Sequence, residues 1–183
     1  MSTIDLEKIT TTLKTGGIII YPTETIYGLG CDPFNLAAIN RLIKLKHRPK
    51  NKSFILLCAN LAQASALIDP KYQELLNAAE KNKKISTTWI CPANPTLPSW
   101  LSYNNNVALR ISSHPLVIQL CKQLESPITS TSANLSGEKP CSTLLELQKI
   151  WQDKVDFIIP EKIDSNHPPS QIIDLISKKV LRK

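Results

Sequence analysis

The chain has 183 residues, 42% hydrophobic and 20% charged, the balance of a globular domain rather than a disordered chain. Its 22 Lys and Arg outnumber 15 Asp and Glu for a net charge of +7, which favours anionic partners such as nucleotides, RNA or acidic surfaces without choosing among them. No apolar run approaches the length of a membrane span, and five cysteines, odd in number and without a CxxC, argue against a disulfide scaffold and for a reducing cytoplasm.

In chain order, Ile4, Leu6, Ile9 and Leu13 recur at near-helical spacing and stop at Lys14-Thr15-Gly16-Gly17. Ile18 to Tyr21 is a short β-branched run closed by Pro22, which reads as a buried strand. A polar loop is expected from Pro22 to Pro33. Leu36, Ile39, Leu42 and Ile43 share one face of a helix running to Lys46, followed by the basic segment Lys46-His47-Arg48-Pro49-Lys50-Asn51-Lys52-Ser53. Phe54 to Cys58 is a second strand, Leu61 to Leu67 and Tyr72 to Lys81 are helices, and Thr87 to Cys91 is a third strand.

Three prolines and Asn104-Asn105-Asn106 make the stretch from Pro92 to Asn106 an irregular surface excursion. Val107 to Ile111 is a strand, and Pro115 to Leu124 is a helix opened by its proline. Pro127 to Ser130 is a strand leading into the hydroxyl-rich segment Ser130-Thr131-Ser132-Ala133-Asn134-Leu135-Ser136-Gly137. A helix from Thr143 to Trp151, a strand from Val155 to Ile159, a Pro168-Pro169 turn and strands near Ile172 to Leu175 and at Val180 complete the chain. The alternation predicts one α/β domain, with a twisted, mixed, open sheet and helices on both faces.

Two segments carry the chemistry. The basic segment supplies fixed cations and the hydroxyl-rich one supplies oxygens and an amide, a combination suited to a polyanion such as a nucleoside triphosphate. Taken alone, such cations more often complement a helix C-terminus as a solvated face, and such hydroxyls most often cap a turn preceding a helix. Arg110 lies within an apolar strand, where a buried guanidinium needs an anionic partner. There is no GxxxxGK[ST], and Gly28-Leu29-Gly30 lacks the third glycine of a dinucleotide fingerprint. No Ser-His-Asp order, Cys-His pair or carboxylate dyad offers a covalent nucleophile. The dispersed histidines His47, His114 and His167 make a structural metal site improbable.

Four motifs in order resemble the YrdC/Sua5 family: Tyr21-Pro22-Thr23-Glu24-Thr25 with Tyr27-Gly28-Leu29-Gly30-Cys31-Asp32, Lys46-x-Arg48-Pro49-x-x-Lys52, Val107-Ala108-Leu109-Arg110 with His114-Pro115, and Ser130 to Gly137. Pro169-Ser170-Gln171-Ile172-Ile173-Asp174 matches the family's closing stretch. The length is similar to the short bacterial type, TsaC, so residues 1–183 are expected to form a single YrdC-like domain without the C-terminal Sua5 extension.

The resemblance implies a threonylcarbamoyl-AMP synthase that joins L-threonine, bicarbonate and ATP, releases pyrophosphate and serves the t6A modification of tRNA at position 37. It implies ATP as substrate with Mg2+ accompanying it, and no permanent cofactor. It also implies tRNA or RNA on a basic surface, and the proteins of a threonylcarbamoyl-transferase complex downstream. By the same resemblance Lys46, Arg48, Lys52, Ser132 and Asn134 hold ATP and its phosphates, Thr23, Arg110 and Ser130 hold threonine and bicarbonate, and Tyr27 and Leu29 shape the pocket wall. An RNA-binding module and another nucleotide-dependent enzyme on the same fold are the competing readings. One motif departs: where family members carry Trp-Pro-Gly-Pro-x-Thr, this chain has Lys83-Lys84-Ile85-Ser86-Thr87-Thr88, and Thr88 alone keeps the pattern.

Overall fold

The computed structural model describes residues 5–48, 54–135, 137–163 and 169–182. Lys52 and its neighbours 49–53, together with Ser136, His167 and Pro168, lie outside the described residues.

Helix α1 (Leu6–Lys14) is capped by Asp5, whose carboxylate accepts from the Lys8 backbone N–H, and it leads into strand β1 (Ile19–Pro22). The hairpin partner of β1 is β2 (Tyr27–Gly30), which falls inside the stretch that the sequence reads as a loop. Two glycines in four residues hide this strand, because glycine has poor β-propensity and no side chain to show alternation. The sheet requires them. A Cβ on Gly28 would sit 2.9 Å from the Tyr21 ring, and one on Gly30 would sit 1.9 Å from the Thr129 carbonyl oxygen. Gly28-Leu29-Gly30 therefore serves close strand packing, not phosphate binding.

After α2 (Leu36–Leu45), β3 (Ile55–Cys58) and α3 (Leu61–Ala66), a short 3-10 turn leads into α4 (Gln73–Asn82) and β4 (Thr87–Pro92). The proline-rich excursion holds one 3-10 turn at Ser99–Leu101, pinned by the Trp100 indole donating to the Pro33 carbonyl at 3.1 Å. Strand β5 (Asn106–Ile111), α5 (Pro115–Leu124), β6 (Ile128–Ser132), α6 (Leu144–Trp151), β7 (Phe157–Ile158), β8 (Gln171–Asp174) and β9 (Val180–Arg182) follow. Helix α6 opens with a capping box between Thr143 and Glu146.

The described strands form one mixed sheet in the order β7-β1-β2-β6-β3-β5-β4-β8-β9. Pairs β1/β7, β3/β5 and β4/β8 are parallel and the rest antiparallel. Residues alternate between its two faces. On one face Ile19, Tyr21 and Leu57 pack under α1 and α5. On the other, Ile18, Ile20 and Leu29 pack under α2 and α6, while Leu56, Trp89 and Leu109 pack under α3 and α4. Helices thus cover both faces, as expected. All five cysteines are buried and free. Among the described residues no helix is long and apolar enough to cross a membrane.

Candidate active site

Register decides where the site lies. Ile55 pairs with Ser130 and Ala108, Ala108 with Ile90, and Thr88 with Ile172, so these side chains share one face. Arg110 opposes Leu57 and therefore points to that same face, the one that α1 and α5 cover only in part. The uncovered part is a cleft of about 800 Å³ whose lining includes Thr23, Arg48, Arg110, Ser130, Ser132 and Arg182. Its size suits a nucleotide with a small co-substrate.

Thr23 is locked in place. Its hydroxyl donates to the Ile26 carbonyl at 2.7 Å and accepts from the Thr25 and Ile26 N–H groups at 3.4 Å, which fixes the β1–β2 turn at the cleft edge. Arg110 is only 5% exposed, and its buried Nε has no hydrogen-bond partner. Among the described residues it forms no ion pair within 4 Å. Its charge acts on the carboxylate of Glu24. Burial alone would raise the Glu24 carboxyl, but the Arg110 charge and hydrogen bonds from Ser112 and Ser113 overcome that and hold it at about 2. Glu24 Oε1 accepts from Ser112 Oγ at 2.5 Å, Ser113 N at 2.7 Å and His114 N at 3.2 Å, bracing the turn into α5. One oxygen of this carboxylate thus braces the turn, while Oε2 is buried without a hydrogen-bond partner.

Helix α2 sets the basic segment. Its C-terminus carries the paired bonds Arg48 N to Ile43 O (3.0 Å) and His47 N to Lys44 O (3.1 Å), with His47 left-handed at φ 46°. This turn swings Arg48 over the Phe54 ring, 4.7 Å from its centroid, and onto the cleft wall. Lys46 is not solvent-facing, as its polar segment suggests, but 6% exposed. Its Nζ donates to the Ser132 carbonyl at 2.8 Å and to the Asn134 carbonyl, and lies 3.4 Å from Asn134 Oδ1. Burial, then the neighbouring Arg48 charge, lowers the Lys46 pKa to about 8.

The two distant segments of the sequence do meet. Lys46 and Asn134 nevertheless are not among the residues lining the cleft; they stand behind Ser132. The Asn134 side chain is engaged in its own loop: its oxygen accepts from Ser132 Oγ at 2.5 Å, and its amide donates to Leu135 O and Glu138 O. Tyr27 and Leu29 are likewise not cleft lining. Strand alternation turns both into the core under α2 and α6, where the Tyr27 hydroxyl donates to Glu161 O at 3.0 Å. They support the wall from behind.

Sequence reasoning missed Arg182, Ser170 and Tyr103 in the lining. Arg182 looks like part of a solvated basic tail, yet β9 folds back and its guanidinium donates to Ser170 O at 2.7 and 3.2 Å. Ser170 Oγ in turn lies 3.0 Å from Thr88 Oγ1. Partial burial, then the charge of Arg110, lowers the Arg182 pKa. The buried Arg110 with the exposed Arg182 near it makes a cationic site suited to an anion. Among the described residues no group of three or more His, Cys, Asp or Glu could hold a metal ion.

The Sua5/YciO/YrdC family model, described as telomere recombination, matches residues 11–183. The chain is 37% identical over 185 residues to a threonylcarbamoyl-AMP synthase of Vibrio vulnificus, covering 98% of each chain. It is 38% identical to one of Stenotrophomonas maltophilia, covering all of both. Among solved structures it is similar to P. abyssi Sua5 complexed with L-threonine (TM-score 0.84, 25% identity, 93% of this chain and 51% of that one). It is also similar to E. coli YciO (TM-score 0.83, 26% identity, 97% and 88%). The chain thus spans about half the length of the P. abyssi protein and nearly all of its curated bacterial relatives. A fold carrying these motifs in this order, matched over nearly its whole length, places the chain in the Sua5/YciO/YrdC family.

Proposed function

We propose that the chain is an L-threonylcarbamoyladenylate synthase, making threonylcarbamoyl-AMP for the t6A modification of tRNA. The observation that carries this reading is Arg110, a buried guanidinium on the floor of the cleft with Arg182 and Arg48 as further cations on its walls. Full-length similarity to named threonylcarbamoyl-AMP synthases selects this reaction among those that such a cleft could host.

The amine of threonine and bicarbonate combine to a carbamate with loss of water. A carbamate oxygen then attacks the α-phosphorus of ATP, and the bond to pyrophosphate breaks. The protein holds the reactants in line and stabilises the growing phosphate charge; no covalent intermediate on the enzyme is needed. Arg110 anchors the threonine carboxylate, with the Thr23 turn and Ser130 beside it. Arg48, Ser132 and Arg182 face the triphosphate. Lys46 and Asn134 hold the backbone behind Ser132, and Lys46 adds positive potential to the phosphate site from there. Magnesium accompanying ATP would neutralise charge on the phosphate oxygens, and the Ser132 hydroxyl on the cleft wall would be its protein ligand. Lys52 belongs to the same cationic segment by its place in the motif.

Pyrophosphate release measured with ATP, L-threonine and bicarbonate, omitting each in turn, tests the assignment. Dependence on all three is expected. Release without threonine or bicarbonate would point to another nucleotide-dependent enzyme, and RNA binding with no release at all to a binding module.

A further inference from the structure

We propose that a second concavity, on the face of the sheet opposite the cleft, docks an acidic, apolar-faced segment of a partner protein. The groove is about 580 Å³ and runs between α4 and strands β4 and β8. Leu75, Ala79, Trp89, Ile173 and Leu175 form its apolar floor and walls. Lys83, Lys84 and Lys178 stand around it; Lys83 is paired with Glu80 at 2.6 Å, while Lys84 and Lys178 are exposed.

The apolar surface continues past the groove. Ile85 on its lip is 56% exposed, Ile176 beside Leu175 is 50% exposed, and Val180, which pairs with Ile173 of the floor, is 44% exposed. An apolar pocket extended by an apolar shelf exceeds what a small ligand covers and has the form of a protein-binding hot spot, where one or two side chains fill the pocket.

Charge selects the occupant. A lysine border on a chain of net charge +7 is complementary to an acidic partner and repels a second copy of itself. Concavity argues against a flat bilayer, whose acyl surface would leave the floor unfilled. Lys83, Lys84 and Ile85 wall both this groove and a smaller pocket of about 400 Å³ that includes Glu24 and Thr25. The surface that a partner would grip is therefore the back of a turn that ends beside the candidate active site.

The test uses the full chain and a labelled helical peptide of about 16 residues, long enough to hold a helix, with leucines along one face and glutamates along the other. Controls are the same composition scrambled, the peptide with lysine in place of glutamate, and vesicles of anionic phospholipid. Fluorescence anisotropy should show the acidic amphipathic peptide binding at least about tenfold more tightly than the scrambled or basic forms, and more weakly at high salt. The Trp89 indole N–H resonance should shift on binding. Lys178→Glu and Ile85→Glu should each weaken binding about tenfold, with thermal melting of Lys178→Glu unchanged. Equal affinity for the scrambled peptide, or binding that survives both substitutions, would overturn the proposal. So would vesicle binding abolished by the same substitutions, or a dimer in sedimentation that Ile85→Glu dissolves.

Discussion

Replacing Glu24 by Gln isolates a single charge at the best-braced point of the candidate site. The amide keeps an acceptor oxygen for Ser112, Ser113 and His114, so geometry is largely preserved while the charge facing Arg110 is lost. The carboxyl is held at about 2 against an ordinary 4.5. At about 1.36 kcal/mol per pKa unit, that difference is worth about 3 kcal/mol of folding stability once the group is ionised in both states.

The sign follows from the depression. The contribution is fully present above pH 4.5 and is lost as pH falls towards 2, because the unfolded chain then binds the proton first. Urea denaturation at pH 7 should find Glu24→Gln less stable by about 2–3 kcal/mol, a fall in Tm of about 5–10 °C for a chain of this size. At pH 3 the gap should shrink to about half, by the same linkage. An equal gap at pH 3 and pH 7 would mean that the loss comes from packing and not from the Glu24–Arg110 interaction, and would refute the reasoning.

Arg110→Lys should raise KM for threonine about 10- to 150-fold with little change in melting temperature, since a compact ammonium replaces a planar fork; steady-state pyrophosphate release reads this directly. Lys46→Met should cost about 1–3 kcal/mol of stability as well as activity, because the Ser132 and Asn134 carbonyls lose a donor; urea curves separate it from a surface lysine. Its pKa near 8, below the ordinary 10.5, means that the unfolded state binds more protons between those values, so wild-type stability should rise across pH 8–10 and the Lys46→Met variant should lack that rise. Gly30→Ala should fail to fold or lose several kcal/mol, judged by soluble yield and circular dichroism, because its Cβ has no room against the Thr129 carbonyl. With threonine, serine and valine compared, valine should be rejected more strongly than serine if Thr23 or Ser130 receives the substrate hydroxyl, because losing a bonded hydroxyl costs more than losing a methyl.

Local pattern determined most elements of this protein. The period of Leu36, Ile39 and Leu42 and the proline at the start of α5 are short-range signals, and the helices they announce lie within a residue or two of expectation. The motif residues were legible for the same reason: a KxR after a helix and an SxN after a strand are contiguous in sequence. Strand β2 was not legible, because its glycines are required by the Tyr21 ring and the Thr129 carbonyl, neighbours that exist only after folding. The division of labour within the site was equally hidden. Whether a lysine faces ligand or props a carbonyl depends on which side of the wall its backbone passes, and only packing turned Arg48 into the cleft and Lys46 behind it. Arg182 shows the limit most clearly. Its sequence neighbours are exposed tail residues, and it becomes a cleft residue because β9 pairs with β8 and directs its guanidinium to Ser170 beside Arg110, a contact set by sheet register that no local pattern encodes.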